Sequence, residues 1–326
     1  MSRATQSAQQ GAAVLALTGG IGGAKLALGL QGVLAPGALT VVVNTGDDFE
    51  HLGLSICPDV DTTLYTLAAV ANAELGWGRA AETWSFMTEL ERLGGESWFR
   101  LGDKDLALHI ERTRRLAAGE RLGAIIDDMA RRFALRTRIV PMSDDRVRTM
   151  VDSDAGTLSF QRYFVERRCV PVVRRIRYEG AERAQPNAAA LALLGDAALA
   201  AVIICPSNPY LSIDPMLAMD SWRAALRATT APVIAVSPLI AGEAVKGPTA
   251  KIMRELGVEV SPRTIVAHYA DLLDGFVLDE ADAALAARFD LPLCIARTLM
   301  RSLEDKEQLA RRVLEFAQAL RSSPEP

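Results

Sequence analysis

Cysteine and histidine are scarce, with four of the first and three of the second in 326 residues. Cys57, Cys169, Cys205 and Cys294 are scattered and form no C-x-x-C pair, which excludes a zinc ribbon or a disulfide framework. His51, His109 and His268 are too few for a histidine-rich metal centre, so any metal here is held by carboxylates. Long apolar runs are also missing. The greasiest stretch, residues 188–205, is broken by Gly195 and Asp196 and is no membrane span. The first dozen residues, MSRATQSAQQGA, lack an apolar signal core, so a cytoplasmic protein with reduced thiols is expected. Positive charge is not in excess either: 36 Lys and Arg stand against 40 Asp and Glu, for a net charge of -4. That argues against a nucleic-acid partner.

What is present is apolar bulk. Half the residues are hydrophobic and 23% are charged, enough to bury a sizeable core and too greasy for disorder. Residues 13–17 form a strand-like run, followed by Thr18-Gly-Gly-Ile-Gly-Gly-Ala-Lys25 and a helical pattern through Leu30. Residues 39–43 make a second strand, ending in Asn44-Thr-Gly-Asp-Asp48. Strand, glycine loop, helix, strand opens a doubly wound, Rossmann-like α/β fold with a mostly parallel sheet. Residues 61–136 turn helical and read as an insertion, which leaves 11–60 and 137–326 as the core. Further strands are expected at 138–140, 148–151, 157–161, 170–176, 200–205 and 233–236, and near Phe276 and Leu293. A last helix starts at Ser302, with Asp305 completing a capping pair.

The loop formed by Gly19, Gly20, Gly22 and Gly23, with Lys25 behind it, follows a strand and opens a helix. A helix N-terminus with little side-chain bulk offers N–H groups and a positive dipole end to phosphate. A Walker A loop would need glycine at Ala24 and Ser or Thr at Leu26. A dinucleotide fingerprint would need Gly or Ala at Lys25 and an acid near Asn44. Phosphate binding is therefore expected and NAD is not. Lys25 reads equally well as a solvent-facing helix lysine.

Two acidic clusters bracket the next loop, Asp47-Asp48 and Pro58-Asp-Val-Asp-Thr62. Oxygen ligands beside a phosphate loop suit Mg²⁺. Taken singly, Asp61 also reads as a helix cap and Asp47 as a turn residue.

Together, Thr18-Gly-Gly-Ile-Gly-Gly-Ala-Lys25, Asn44-Thr-Gly-Asp-Asp48 and Pro58-Asp-Val-Asp-Thr62 resemble the CofD family of 2-phospho-L-lactate transferases. So do Leu101-Gly-Asp-Lys-Asp105, Pro141-Met-Ser-Asp-Asp145, Pro206-Ser-Asn-Pro209 and Ser237-Pro238 with Gly247-Pro248. The motifs come in family order from about residue 13 to the C-terminal helix, and the first ten residues lie outside the likeness.

The resemblance implies a step of coenzyme F-420 biosynthesis. A phospholactyl-type group (2-phospholactate, phosphoenolpyruvate or phosphoglycerate) moves from a guanosine diphosphate-linked donor to the ribityl hydroxyl of the deazaflavin Fo, and GMP leaves. It implies Asp61 and Arg100 on the deazaflavin, with the helical insertion covering that acceptor site. Asp48 is then the main Mg²⁺ ligand with Asp61 as its partner, and both are catalytic. Ser207 and Asn208 fall in the nucleotide pocket, and Lys246-Gly247 joins the glycine loop and Lys25 as phosphate contacts. A homodimer is implied too. Trp77, Trp84 and Trp98 read as core aromatics or as stacking partners, and His51 as a proton carrier or a structural residue. The rival is a nucleotide-sugar-binding regulator of the same fold, which carries a glycine- and serine-rich run where this chain has Asp47-Asp-Phe-Glu-His-Leu-Gly53.

Overall fold

Strands covered on both faces must be apolar at every position, and Val14–Thr18 (β1) and Leu39–Val43 (β2) are buried throughout. With Arg138–Pro141 (β3), Ala201–Ile204 (β4), Val233–Val236 (β5), Gly275–Asp279 (β6) and Leu293–Ala296 (β7) they build one sheet in the order β7-β6-β5-β4-β1-β2-β3. Every neighbouring pair is parallel. This computed structural model describes residues 12–72, 77–244 and 247–322. Among them, no helix is long and apolar enough to cross a membrane.

Side chains sort by the period of two. Leu15, Leu17, Val42, Val202 and Ile204 join the core on one face. Val14, Ala16, Val41, Val43, Ala201 and Ile203 join the other. The strand order reverses between β1 and β4. Val14 pairs with both Leu39 and Ala201, so the loops after β1, β2 and β4 leave the same edge of the sheet together.

Gly20–Val33 (α1) follows β1 and packs on the C-terminal helix Leu303–Ser322. The approach is close: a Cβ on Gly29 would stand 2.1 Å from the Lys306 carbonyl oxygen. The capping pair forms as expected, with Asp305 accepting from Ser302 N at 2.9 Å and donating its N–H to Ser302 Oγ at 3.0 Å.

Three features differ from the sequence reading. Residues 49–56 form a hairpin, Phe49–His51 against Leu54–Ile56, turned by Leu52 and Gly53 at φ 53° and 73°. The helix Pro58–Leu67 (α2) packs on α1 and β2, so a boundary at residue 61 would cut one helix; the covering helices are Ser85–Arg92 (α3), Asp103–Ala117 (α4) and Leu122–Arg132 (α5). The strands Arg148–Ser153, Gly156–Ser159 and Val173–Glu179 form a separate antiparallel sheet rather than extending the parallel one. Their chemistry explains this. Arg148–Ser153 alternates half-buried and buried, and Val173–Glu179 carries three arginines, a pattern that suits a sheet wet on one face.

Candidate active site

Gly19 caps α1 in extended conformation, and Gly20 takes φ 66° at its first position. Three other contacts fix glycine here. A Cβ on Gly19 would lie 2.5 Å from Ser212 Cβ, on Gly22 2.4 Å from the Pro206 carbonyl oxygen, and on Gly23 1.8 Å from Thr18 Oγ1. The loop is thus pressed against the segment that follows β4, and Gly19 N donates to Ser207 Oγ at 3.3 Å. No acidic residue sits in the first turn of α1, so its positive end stays uncompensated by the helix itself. Lys25 turns away, donating from Nζ to the Met300 carbonyl at 3.2 Å. Gly247 lies ahead of the helix Thr249–Glu255 at φ 75°, while Lys246 lies outside the described residues.

Asn44 ties the edge together. Its Nδ2 donates to Asp59 Oδ2 at 2.9 Å and to the Leu211 carbonyl at 3.2 Å, while its Oδ1 accepts from Gly46 N at 2.8 Å. An acid there would lack the two donors. Asn208 works similarly, accepting on Oδ1 from Tyr210 N at 3.0 Å and Leu211 N at 3.1 Å.

Around these amides sit four buried carboxylates, Asp47, Asp48, Asp59 and Asp61. Burial, then the charges of Asp59 and Asp48, push the Asp47 carboxyl well above the usual range. Burial raises Asp48 to about 7, against the pull of Arg148 and Arg112, and raises Asp59 to about 6 against its bond from Asn44. Asp47 Oδ1 and Asp48 Oδ1 have no protein partner, nor do Thr18 Oγ1, Thr45 Oγ1 and Asn208 Nδ2. Orphaned polar atoms collected at one sheet edge indicate a ligand-binding surface. The donor set is oxygen-rich, which fits a hard divalent cation such as Mg²⁺.

Asp61, in the first turn of α2, is differently placed. Arg112 of α4 donates from Nη1 to Asp61 Oδ2 at 3.1 Å and from Nη2 to Asp61 Oδ1. Burial raises the Asp61 carboxyl and this guanidinium pulls it back. His109 lies between Asp61 (3.6 Å) and Asp105 (3.2 Å), and the Tyr65 hydroxyl donates to Asp105. Asp61, Asp105 and His109 present possible ligand atoms within 4.8 Å of one another, but both Asp61 oxygens already face Arg112. Asp48 and Asp61 are therefore neighbours across Arg112: Asp48 has the open oxygen and Asp61 has none.

Arg100 is exposed, its guanidinium 4.4 Å over the ring of Trp84. Trp84 in turn meets Trp77 edge-on at 6.1 Å. Trp98 packs edge-on against His51 at 5.1 Å. None of the three tryptophans is fully buried. His51 is buried, and that burial lowers its basicity.

Between the acidic loop, α4, α5 and the stretch after β3 lies a cleft of about 420 Å³. Thr45, Asp48 and Ser55 line one side, Leu116 and Leu122 another, and Arg146 and Arg148 a third. The residues that sequence reasoning missed are Asp59, Asn44 as an organiser, Arg112, His109 and Arg148.

Fold and site together define a Rossmann-like α/β protein with its candidate site at the switch point of the sheet. The chain belongs to the CofD family, whose model, described as 2-phospho-L-lactate transferase CofD, matches residues 14–291. A phosphoenolpyruvate transferase of Streptomyces coelicolor is 38% identical over 319 residues, spanning 95% of this chain and 99% of that protein. A 2-phospho-L-lactate transferase of Methanopyrus kandleri is 41% identical over 308 residues, spanning 93% and 97%. The fold is shared with a UPF0052 family member from Bacillus halodurans, at TM-score 0.61 and 13% identity over 93% of this chain and 98% of that one.

Proposed function

We propose that this protein transfers a phosphorylated three-carbon acid, from a guanosine diphosphate-linked donor, to the ribityl hydroxyl of the deazaflavin Fo in coenzyme F-420 biosynthesis. Relatives named for phosphoenolpyruvate and for 2-phospho-L-lactate both match nearly end to end, so the reading covers both acids. The observation that carries it is the set of orphaned carboxylate oxygens on Asp47 and Asp48, next to the glycine loop at the switch point. The hydroxyl oxygen attacks the phosphorus that bears the three-carbon acid, the bond to GMP breaks, and the hydroxyl proton passes to a carboxylate or to water. Positioning and charge balance do most of the work in such a transfer.

In this reading Asp48 holds Mg²⁺, with Asp61 beside it. Bound there, Mg²⁺ would polarise the phosphoryl group and offset the charge of the donor. The N–H groups of the glycine loop and first turn of α1 take the diphosphate, supported by Lys246-Gly247 rather than by Lys25, which is held by the Met300 carbonyl. Ser207 and Asn208 hold the guanine nucleotide, and the unpartnered Asn208 Nδ2 is a donor open to it. Arg100 orients the deazaflavin, and Trp84 beneath it supplies a flat apolar surface, while Asp61 acts indirectly through its ion pair with Arg112. The regulator alternative has no comparable support, because the matched relatives are named as transferases. Exposed Phe164, Val170 and Val172 suit a homodimer face.

The test is a titration with Fo, followed by its visible absorbance or fluorescence, with and without GDP and Mg²⁺. Saturable binding that strengthens with GDP and Mg²⁺, then turnover with a guanosine-linked donor and release of GMP, is the expected result. Absence of Fo binding under every condition would overturn the reading.

A further inference from the structure

One wall of the cleft has no role in the reaction as described. Residues 141–148 run from the end of β3 into the antiparallel sheet and close the cleft across from Asp48. The acids on this stretch are taken up by the fold. Asp144 Oδ1 accepts from Gly123 N at 2.7 Å, and Asp145 Oδ2 accepts from Gln185 N at 2.7 Å. Ser143 Oγ donates to the Gln185 carbonyl at 2.6 Å. These bonds pin the stretch to α5 and to the segment before the helix Ala188–Leu194.

The cations on it are differently used. Arg148 is half-buried and Arg146 exposed. Arg148 Nη1 donates to the carbonyls of Thr45 at 3.4 Å and Val147 at 2.7 Å, which orient the guanidinium without cancelling its charge. The next residue, Thr149, donates its N–H to the Gly46 carbonyl at 2.7 Å, so the acidic loop and this strand are fastened together. Arg148 and Asp48 both line the cleft.

The cleft thus joins Arg146 and Arg148, the carboxylates of Asp48, Glu50, Asp144 and Asp145, which Mg²⁺ would offset, and an apolar side formed by Leu116 and Leu122. A small carbon skeleton bearing oxyanions matches all three. Its volume, about 420 Å³, exceeds that of a three-carbon acid, so the group in transfer and its acceptor can meet inside it.

We propose that Arg148, with Arg146 at the rim, forms an oxyanion subsite that binds the phosphoryl and carboxylate oxygens of the three-carbon acid and holds it against the acidic loop. This rests on the transferase reading above. A guanidinium fork matches both oxyanions in two-pronged geometry, and here it is already oriented by backbone carbonyls. Arg146, in solvent, adds long-range attraction that salt screens.

The test is calorimetric titration with phosphoenolpyruvate in the presence of GMP and Mg²⁺, run on wild type, R148Q, R148K and R146Q, with GMP binding measured alongside. R148Q should weaken phosphoenolpyruvate about ten- to a hundredfold, the loss expected for charge-assisted hydrogen bonds. R148K should lose less, keeping charge without the fork, and R146Q should show only a salt-sensitive change of a few fold. GMP affinity, which does not involve the transferred phosphoryl, should hold in all three, and it also reports that the variants are folded. Wild-type phosphoenolpyruvate affinity in R148Q, or an equal loss of GMP affinity, would overturn the subsite, and so would a wild type that binds no phosphoenolpyruvate. Failure of Fo binding with the R148Q effect intact would instead overturn the acceptor assignment and leave the oxyanion subsite standing.

Discussion

Arg112 and Asp61 form a two-pronged ion pair beneath the acidic loop, and both side chains are closed to solvent. The pair joins α4 of the covering layer to α2 of the sheet layer. Removing one partner strands the other charge in a medium that solvates it poorly. R112M should therefore cost about 3–5 kcal/mol in urea denaturation, and the double variant D61N/R112M should recover much of it. Additive losses would mean that the two residues act independently.

Asp48 has an open oxygen where Asp61 has none, so the two should respond differently. D48N should lower turnover about 10²- to 10³-fold, as when one charge-stabilising group leaves a dry site. GDP binding measured in a chelator should be unchanged. Turnover equal to wild type would remove Asp48 from the metal.

The buried carboxylates make stability depend on pH in an unusual direction. Asp48 is raised to about 7 and Asp59 to about 6, against about 3.9 in an unfolded chain. The folded state then holds more protons than the unfolded one between roughly pH 4 and pH 7, so stability falls as pH rises through that window. In chelator, the thermal midpoint should drop between about pH 5 and pH 7.5. Excess Mg²⁺ should restore it at the upper pH and do little at the lower. A flat profile, or one blind to Mg²⁺, would contradict the cation site.

Glycines of α1 should separate by what stands opposite them. On Gly22 a Cβ meets the Pro206 backbone at 2.4 Å, so G22A should lose about 2–3 kcal/mol and most nucleotide binding. On Gly32 it meets the carboxylate end of Glu307 at 2.9 Å, a group free to swing aside. G32A should stay within about 1 kcal/mol of wild type, since alanine favours a helix. Equal losses would show that the space at Pro206 is not what selects glycine at Gly22.

The parallel sheet could be read from the chain because its strands are apolar on both faces and its loops are rich in glycine. The crowding of glycine was visible too, but not its cause: Gly19, Gly22 and Gly23 make room for the chain's own segment after β4. Asn44 read as a missing acid, although two donors and an acceptor are what its position requires. Arg112 is one of three arginines on α4 and does not stand out by residue type. The signal for it was spacing, because Asp105, His109 and Arg112 recur at i, i+4 and i+7 beside buried Leu108. The antiparallel sheet went unrecognised because alternation tells how wet a strand is and not which partner it takes.

The fit between Gly29 of α1 and the backbone at Lys306 also bears on how the molecule is made. Among the described elements, the helix that opens the glycine loop is made early and the helix that braces it is made last. Until Lys306 and Glu307 are made, α1 has nothing to fill the groove at Gly29 and Gly32. A nascent chain halted before Leu303 would carry every residue of the glycine loop without the support that sets its angle to the sheet. Support for the glycine loop thus arrives with synthesis of the bracing helix, not with synthesis of the motif.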